Sequence, residues 1–241
     1  MTKNLDFLKK YKYTHRGLHS EKVSENSLES FKLAIEKNYA IELDIRVTKD
    51  GNWIVFHDDN LLRMTGSNVK IKDLLFDELN NYKLINNNEK IPLLSDVLDL
   101  VNNKVPLLIE IKHIKKTRKN LKNLFEILDN YKGDFAVFSF SPIIVYLIKK
   151  YRKNYIRGQI SSFFDNKKIP KFIKYFYKSM FFNRFTKPDF ISYNIENIPN
   201  KYINKAKEKG ILLFGYTAKS FDEYYYSLKF LDNIVFENFI I

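Results

Sequence analysis

Two histidines and three acidic residues stand at or near the ends of apolar runs in this sequence. His15 and His57 each close such a run, Glu42 and Asp44 alternate within another, and Glu110 lies near the end of a fourth. An imidazole titrates near neutral pH, so a pair of histidines can both accept and donate protons during a reaction. Three carboxylates in a chain without cysteine suit a hard divalent cation, Ca2+, Mg2+ or Mn2+, better than zinc.

Two basic residues accompany these groups. Arg16 follows His15 directly, and Lys112 lies two residues after Glu110. Both side chains can hold an anionic phosphate, while a bound cation neutralises one of its oxygens and the histidines exchange protons with the attacking and departing oxygens. The residue types therefore predict metal-assisted chemistry at a phosphate ester.

The elements that must position these side chains are short apolar runs separated by helical patterns. Strand-like runs occupy residues 12–15, 40–45, 53–57, 105–111, 135–140, 155–160, 190–194, 211–216 and 233–236. Apolar residues at helical spacing occupy residues 25–38, 93–101, 118–131, 142–151, 199–209 and 221–231.

Strands that alternate with helices favour a parallel sheet. About eight such units in 241 residues predict an α/β fold of the TIM-type (β/α)8 barrel class, as a single domain over residues 1–241. An open doubly wound sheet is the alternative, but no glycine-rich loop follows the first strand. In a barrel, the acids and histidines would meet at the carboxyl ends of the strands, where active sites form.

One strand-like run exceeds the eight of a barrel, and a hairpin accounts for it. The stretch between Asp44 and His57 is too short for a crossover helix, and Asp50-Gly51 is a strong two-residue turn signal. We therefore expect an extra hairpin strand after the second barrel strand. With a two-residue turn, His57 falls directly opposite Asp44.

Composition and charge limit the classes of partner and compartment. The net charge of +13 attracts anions such as phosphate esters, nucleic acid and anionic lipid headgroups. The absence of cysteine fits a reducing compartment. Residues 1–13 lack the continuous apolar stretch of a secretory signal, and no run of about 18 apolar residues is free of charge. These features predict a cytoplasmic protein.

Residues 163–185 combine basic and aromatic side chains, with Lys167, Lys171, Lys174 and Lys178 at near-helical spacing. One interpretation is a basic amphipathic helix in peripheral contact with the inner membrane surface. The other is an ordinary barrel helix that buries its aromatic side chains.

Several short motifs occur in order along the chain: His15-Arg16-Gly17, Glu25-Asn26-Ser27, Glu42-Leu43-Asp44, His57-Asp58, Glu110-Ile111-Lys112 and Ser139-Phe140. As an ordered set they resemble the glycerophosphodiester phosphodiesterase family, and the likeness extends from about residue 11 to residue 239. The resemblance implies a TIM-type barrel that hydrolyses glycerophosphodiesters to glycerol 3-phosphate and an alcohol, an activity of lipid metabolism.

The resemblance also implies a role for each matched residue. His15 and His57 become the acid/base pair, and Glu42, Asp44 and Glu110 become the ligands of the divalent metal. Arg16 and Lys112 then contact the phosphate. Tyr216 stands where the family commonly has a tryptophan, so it is expected to form an aromatic wall of the substrate site.

Three functional hypotheses remain open at this point. The first is hydrolysis of small glycerophosphodiesters, and the second is lysophospholipase D-like action on membrane lipids at the same site. The third is a noncatalytic anion-binding barrel, which the net charge of +13 suggests. Repeated acids at successive strand ends disfavour a polyanion binder, so no nucleic-acid partner is expected.

Overall fold

The computed structural model describes residues 3–114, 116–165 and 168–241. In these ranges the strands are β1 (Tyr13–Thr14), β2 (Ala40–Val47), β3 (Trp53–Val55), β4 (Leu107–Ile111), β5 (Phe135–Ser139), β6 (Ile156–Ser161), β7 (Phe190–Asn194), β8 (Leu212–Ala218) and β9 (Asn233–Phe236). The helices are α1 (Asp6–Lys10), α2 (Leu28–Glu36), α3 (Leu62–Thr65), α4 (Phe76–Leu79), α5 (Leu94–Val101), α6 (Thr117–Asn130), α7 (Pro142–Tyr151), α8 (Lys171–Lys178), α9 (Asn183–Thr186), α10 (Lys201–Glu208) and α11 (Phe221–Leu228). Short 3-10 turns occupy Ile71–Asp73 and Ile195–Asn197.

The predicted α/β class is confirmed. Eight parallel strands of the described chain alternate with helices as in a TIM-type (β/α)8 barrel, and the antiparallel β3 is the extra hairpin strand. Each of the nine strand-like runs of the sequence contains a strand, because β-branched and aromatic residues dominate them.

The chain divides into two compact units, and the single domain over residues 1–241 stays a prediction. Tyr13–Phe135 forms one unit, in which β2 pairs in parallel with β1 and β4 and antiparallel with β3. The other unit contains residues 3–12 and Ala136–Ile241, with parallel pairing from β6 through β9. Asn233 fastens the N-terminal segment within that unit, since its amide donates to the carbonyls of Leu8 and Tyr11 at 2.8 and 2.7 Å.

Residues 60–90 form an excursion from the first unit, with an apolar core of its own. The buried side chains that the excursion contributes are Leu61, Met64, Ile71, Leu74, Leu79 and Leu84, and they pack on Ile54, Phe56 and Ile91. The excursion is thus anchored through the β3 arm of the hairpin.

The hairpin forms as predicted, but its register differs by one residue. Val47 pairs with Trp53 and Ile45 pairs with Val55, so the ladder places Phe56 opposite Asp44. The expectation that His57 lies directly opposite Asp44 is therefore wrong. The reason is a three-residue loop, in which Thr48 N donates to Asn52 O at 3.0 Å and Gly51 adopts a φ of 97°.

The side chain of Asp50 stabilises this longer loop. Its carboxylate accepts hydrogen bonds from the Thr48 hydroxyl and the Asn52 amide. A loop that satisfies its own polar groups in this way competes successfully with the two-residue turn predicted from Asp50-Gly51.

No helix of the described residues is both long and apolar enough to cross a membrane.

Candidate active site

The predicted acid cluster forms on two neighbouring strands, β2 and β4. Glu42 and Asp44 lie two residues apart on β2 and therefore share one face, and Asp44 pairs directly with Glu110 on β4. All three are buried, with relative exposures of 3%, 1% and 7%. One ligand atom from each lies within 4.8 Å of the others.

Two basic side chains, those of Lys112 and Arg16, contact this cluster. Lys112 Nζ lies 2.7 Å from Asp44 Oδ1 and 2.8 Å from Glu110 Oε1. Arg16 Nε lies 3.1 Å from Asp44 Oδ2, and the Arg16 backbone N–H donates to Glu42 Oε2 at 3.1 Å. The two predicted phosphate-contacting residues are thus part of the same constellation as the acids.

The buried carboxylates are electrostatically unequal. Burial alone would raise the pKa of Asp44, but Lys112 and Arg16 outweigh it and hold that pKa well below its ordinary value. Burial, with the charges of Asp44 and Glu110, raises the pKa of Glu42 well above its ordinary value. Burial raises the pKa of Glu110 to about 7, although Lys112 opposes the shift. Positive charge from the chain therefore compensates one carboxylate fully and the other two incompletely.

These three residues fit a divalent cation. Their donors are all carboxylate oxygens, which hard cations such as Mg2+ and Ca2+ prefer. Burial and the neighbouring carboxylates raise the pKa values of Glu42 and Glu110, so their ionised forms are unfavourable unless a further positive charge, such as a bound cation, stabilises them.

His15 and Arg16 are positioned by a tight loop that follows β1. Arg16 and Gly17 both have positive φ values, 56° and 81°, so the chain reverses immediately after His15. Gly17 fits there because a Cβ atom would overlap the side chain of Ser30 on α2. The reversal leaves His15 Nε2 4.0 Å from Glu42 Oε2.

His57 reaches the acid cluster by a different route from the one predicted. The chain leaves the β3 ladder after Phe56, and Arg46 Nε donates to the His57 carbonyl at 2.8 Å, which tethers the bend to β2. Burial, joined by the charges of Lys112 and Arg16, lowers the pKa of His57 to about 4 against the opposing influence of Asp44 and Asp58.

A carboxylate orients the His57 ring. His57 Nδ1 lies 2.6 Å from Asp58 Oδ1, so an ionised Asp58 accepts a hydrogen bond from the Nδ1–H group. In the neutral ring this tautomer leaves Nε2 unprotonated and able to accept a proton. Arg63 Nε donates to the second oxygen of Asp58 at 2.7 Å. Burial alone would raise the pKa of Asp58, but Arg63 and His57 lower it.

Four residues of this network were not among the predicted catalytic, metal-binding or substrate-binding residues: Glu25, Asn26, Asp58 and Arg63. Glu25 accepts from Arg63 Nη1 and Nη2 at 2.8 and 2.7 Å and from Arg16 Nη1 at 2.8 Å, so it links two arginines. Asn26 Nδ2 donates to Asp44 Oδ2 at 3.0 Å. The motifs Glu25-Asn26-Ser27 and His57-Asp58 contain three of the four, and Arg63 lies in residues 61–66, which share the likeness to the family but carried no predicted role.

The start of α2 explains why Glu25 and Asn26 face the acids. Helical spacing predicts a helix from residue 25, but α2 begins at Leu28. Ser27 and Ser30 form a reciprocal capping box, in which each hydroxyl accepts from the other residue's backbone N–H. Glu25 and Asn26 therefore precede the helix, and Asn26 adopts a φ of 54° that directs its amide toward Asp44.

Tyr216, the predicted aromatic wall, belongs to the other compact unit. Its hydroxyl donates to Ser161 O at 2.9 Å, and its ring meets Phe140 edge to face at 6.0 Å. These contacts fix the ring, and the role of Tyr216 at the substrate stays a prediction.

The basic aromatic segment contains α8, and none of the residues of that helix is buried. Phe172 and Tyr175 expose 64% and 53% of their surface, and Phe185 exposes 52%. The expectation that this helix buries its aromatic side chains is wrong for Phe172 and Tyr175, whereas Phe176 and Tyr177 are half-buried and pack against Phe181 and Phe182. Lys167 lies outside the described residues.

Comparisons with known proteins agree with the motifs. A family model described as the glycerophosphoryl diester phosphodiesterase family matches residues 15–240. Glycerophosphodiester phosphodiesterase 1 of Bos taurus is 28% identical over 240 residues, which cover 87% of this chain and 72% of that protein. Lysophospholipase D GDPD1 of Homo sapiens is 36% identical over 141 residues, or 53% of this chain and 43% of that protein.

A solved structure supports the fold. The chain is similar to an Oleispira antarctica phosphodiesterase in complex with the product sn-glycerol-3-phosphate, with a TM-score of 0.80 and 19% identity. The match covers 95% of this chain and 93% of that one.

Proposed function

This chain belongs to the glycerophosphoryl diester phosphodiesterase family, and we propose that it hydrolyses a glycerophosphodiester to glycerol 3-phosphate and an alcohol with a divalent metal ion and two histidines. Family membership makes the chain a phosphoric diester hydrolase and argues against the noncatalytic anion-binding barrel. The observation that carries the finer proposal is the buried group of three carboxylates with His15 and His57 beside it.

In this proposal each part of the constellation has a separate task. Glu42, Asp44 and Glu110 hold the cation, Ca2+, Mg2+ or Mn2+, which supplies positive charge to a nonbridging phosphate oxygen when bound. Arg16 and Lys112 add positive charge next to the acids, where the phosphate would bind.

The two histidines exchange protons with the reacting oxygens. Asp58 fixes the His57 ring through Nδ1, so Nε2 is the atom that takes up or returns a proton. His15, whose Nε2 lies 4.0 Å from Glu42 Oε2, is the second member of the acid/base pair and exchanges a proton with the other reacting oxygen. Tyr216 is proposed to bound the substrate as an aromatic wall.

The direct test is an assay of glycerol 3-phosphate release from a panel that includes glycerophosphocholine and glycerophosphoethanolamine. We expect EDTA to abolish release, and readdition of Mg2+, Ca2+ or Mn2+ to restore it. Release that ignores EDTA would refute the metal role. Absence of release from every diester of the panel would refute the proposed activity.

The histidine roles give the first mutational prediction. His15→Ala and His57→Ala should each lower kcat by about two to four orders of magnitude, the usual contribution of a positioned acid or base. His113→Ala is the matched control, because His113 lies outside the acid cluster and should retain full activity. Thermal unfolding of each variant separates lost chemistry from lost folding, and full activity of either variant would overturn the assignment.

The second candidate is action on a lysophospholipid at the inner membrane surface, with the protein cytoplasmic and peripheral. The exposed aromatic side chains of α8 favour it, together with Lys171, Lys174 and Lys178 on the same helix. A basic helix with exposed aromatic residues suits an anionic lipid surface, which attracts its charges and accepts its rings.

Co-sedimentation with vesicles of anionic lipid tests this candidate. The triple substitution Lys171→Glu, Lys174→Glu, Lys178→Glu should abolish binding. The matched control places the same charge change on α10, with Lys201→Glu, Lys205→Glu, Lys207→Glu, and should bind more strongly than the α8 variant. Equal binding by both variants, or no binding by the parent protein, would remove the membrane proposal.

A further inference from the structure

A second, strongly basic cleft lies in the unit formed by Tyr13–Phe135. It has a volume of about 710 Å3 and is bounded by the end of β2, the hairpin loop, the excursion and the segment after β4. Its lining includes six basic and three acidic side chains, a formal net charge of +3 from Lys, Arg and Asp alone: Arg46, Lys49, Lys70, Lys72, Lys116 and Lys119 against Asp50, Asp59 and Asp73.

The cleft adjoins the acid cluster through Arg46. This residue lies two positions after Asp44 on β2, on the same face of the strand. Its Nε donates to the carbonyl of His57, so one side chain contacts the backbone of a proposed catalytic residue and also lines the cleft. A ligand in the cleft and a phosphodiester at the acids would therefore be neighbours.

Several of the cations have no carboxylate partner among residues 3–114, 116–165 and 168–241. No ion pair in these ranges joins Lys49, Lys70 or Lys119 to an acid, and the terminal nitrogens of Arg46 make no hydrogen bond there. By contrast, Asp50 is engaged by hydrogen bonds from Thr48, Asn52 and the Phe76 backbone. Asp50 keeps its negative charge in these hydrogen bonds, so the formal net charge of the lining stays at +3, and Lys49, Lys70 and Lys119 are the cations that an anionic ligand can engage.

We propose that this cleft binds a phosphomonoester carried by the alcohol part of the substrate. The inference rests on the proposed function and names its substrate class: glycerophosphodiesters whose alcohol bears a second phosphate. A phosphomonoester carries a charge of about −1.5 to −2 at pH 7, which the cleft attracts. The cationic alcohol choline would be repelled by the same charges.

A matched pair of substrates isolates the second phosphate. Glycerophosphoglycerol and its derivative with a phosphomonoester on the distal glycerol differ in that group alone. Phosphodiester loss, followed by 31P NMR, gives kcat/KM for both at low ionic strength. We expect the parent protein to prefer the phosphorylated diester by about tenfold or more, since steering by charge raises association rates by about 10 to 1,000 times.

The variant Lys70→Glu, Lys119→Glu reverses two charges of the cleft and touches none of the proposed catalytic or metal-binding residues. It should lose the preference and retain turnover of glycerophosphoglycerol within about twofold of the parent, since no group at the reacting phosphate changes. Lys122→Glu, Lys132→Glu is the control, because both lysines are exposed, lie in the same unit and do not line the cleft. This control variant has the same net charge as the Lys70→Glu, Lys119→Glu variant and should keep the preference for the phosphorylated diester.

The outcomes separate this inference from the proposed function. Turnover of both diesters at equal rates by the parent, or equal loss of preference in both double variants, would overturn the inference and leave the activity intact. An effect of added inorganic phosphate on glycerophosphoglycerol turnover that the Lys70→Glu, Lys119→Glu variant lacks, with no substrate preference, would assign the cleft to free phosphate and overturn it as well. No turnover of either diester would defeat both the proposed function and the inference that rests on it.

Discussion

The contact of Asp58 with His57 connects the proposed acid/base pair to the excursion. Asp58 holds the imidazole through Nδ1, and Arg63, from the excursion, holds both Asp58 and Glu25. Glu25 in turn contacts Arg16, which contacts Asp44. A chain of charge-assisted hydrogen bonds and ion pairs thus runs from one residue of the proposed acid/base pair to a proposed metal ligand.

Asp58→Asn should lower kcat/KM for glycerophosphocholine by about a hundredfold, because the ring loses the carboxylate that fixes its tautomer. The hydrogen bond to Asp58 raises the pKa of His57, so its removal lowers that pKa further and moves the acidic limb of the pH profile to lower pH. The profile of kcat/KM against pH measures both effects.

Asp59→Asn is the neighbouring control for that experiment. No hydrogen bond to the side chain of Asp59 occurs among the described residues, so its profile should match that of the parent. An unshifted profile for Asp58→Asn would contradict the positioning role.

At the scale of elements, the loop after β1 requires glycine for two reasons. Gly17 has a φ of 81°, and a Cβ at this position would overlap Ser30. Gly17→Ala should therefore reduce the free energy of unfolding by about 2–4 kcal/mol, from backbone strain and overpacking together.

Gly66→Ala offers the matched comparison, because Gly66 has a φ of 76° and open space around it. It should cost about 1–2 kcal/mol from strain alone. Urea unfolding of the two variants measures the difference, and equal losses would show that the contact with Ser30 contributes nothing.

Sequence reasoning recovered the strands well and the connections less well. The strand-like runs stand out because each is a short apolar segment, and Glu42 with Asp44 shares a face by simple alternation. The hairpin register depended on whether the turn has two or three residues, which the hydrogen bonds of Asp50 decide. The hydrophobic periodicity of the strands does not show which of the two turns these hydrogen bonds favour.

The partners of Arg63 could not be predicted for a different reason. Its partners, Asp58 and Glu25, lie 5 and 38 residues earlier in the chain, and only the folded excursion brings them together.

The exposure of α8 could not be predicted either. Helical spacing indicates the helix, but it does not say whether other parts of the protein cover its apolar face.

At the scale of the whole molecule, the raised pKa values predict how metal and pH act on stability. A carboxyl group whose pKa is raised in the fold contributes stability at low pH, and that contribution is lost as pH rises from about 4.5 through its folded value. Glu110, with a pKa of about 7, and Glu42 both belong to this class. The lowered pKa of His57 acts in the opposite direction between about pH 4 and pH 6.5, because only the unfolded state binds that proton there. The metal-free protein should therefore lose thermal stability chiefly between about pH 6.5 and pH 8.

Added Mg2+ or Ca2+ should oppose that loss, because metal binds the ionised carboxylates and so binds more strongly as pH rises. The increase in Tm on metal addition should be larger at pH 8 than at pH 5. Scanning calorimetry with EDTA or metal measures it, and Glu110→Gln should flatten the pH dependence of the metal-free protein. A metal-induced shift that is the same at both pH values would contradict the raised pKa values.

The separate apolar core of the excursion has a consequence for amide hydrogen exchange. Small clusters open more readily than central strands, and they open as cooperative groups. Each opening of residues 61–84 would withdraw Arg63 from Asp58 and Glu25 while β2 and β4 stay paired. Exchange rates in that segment therefore report how often Asp58 and Glu25 lose their contacts with Arg63, without any substrate present.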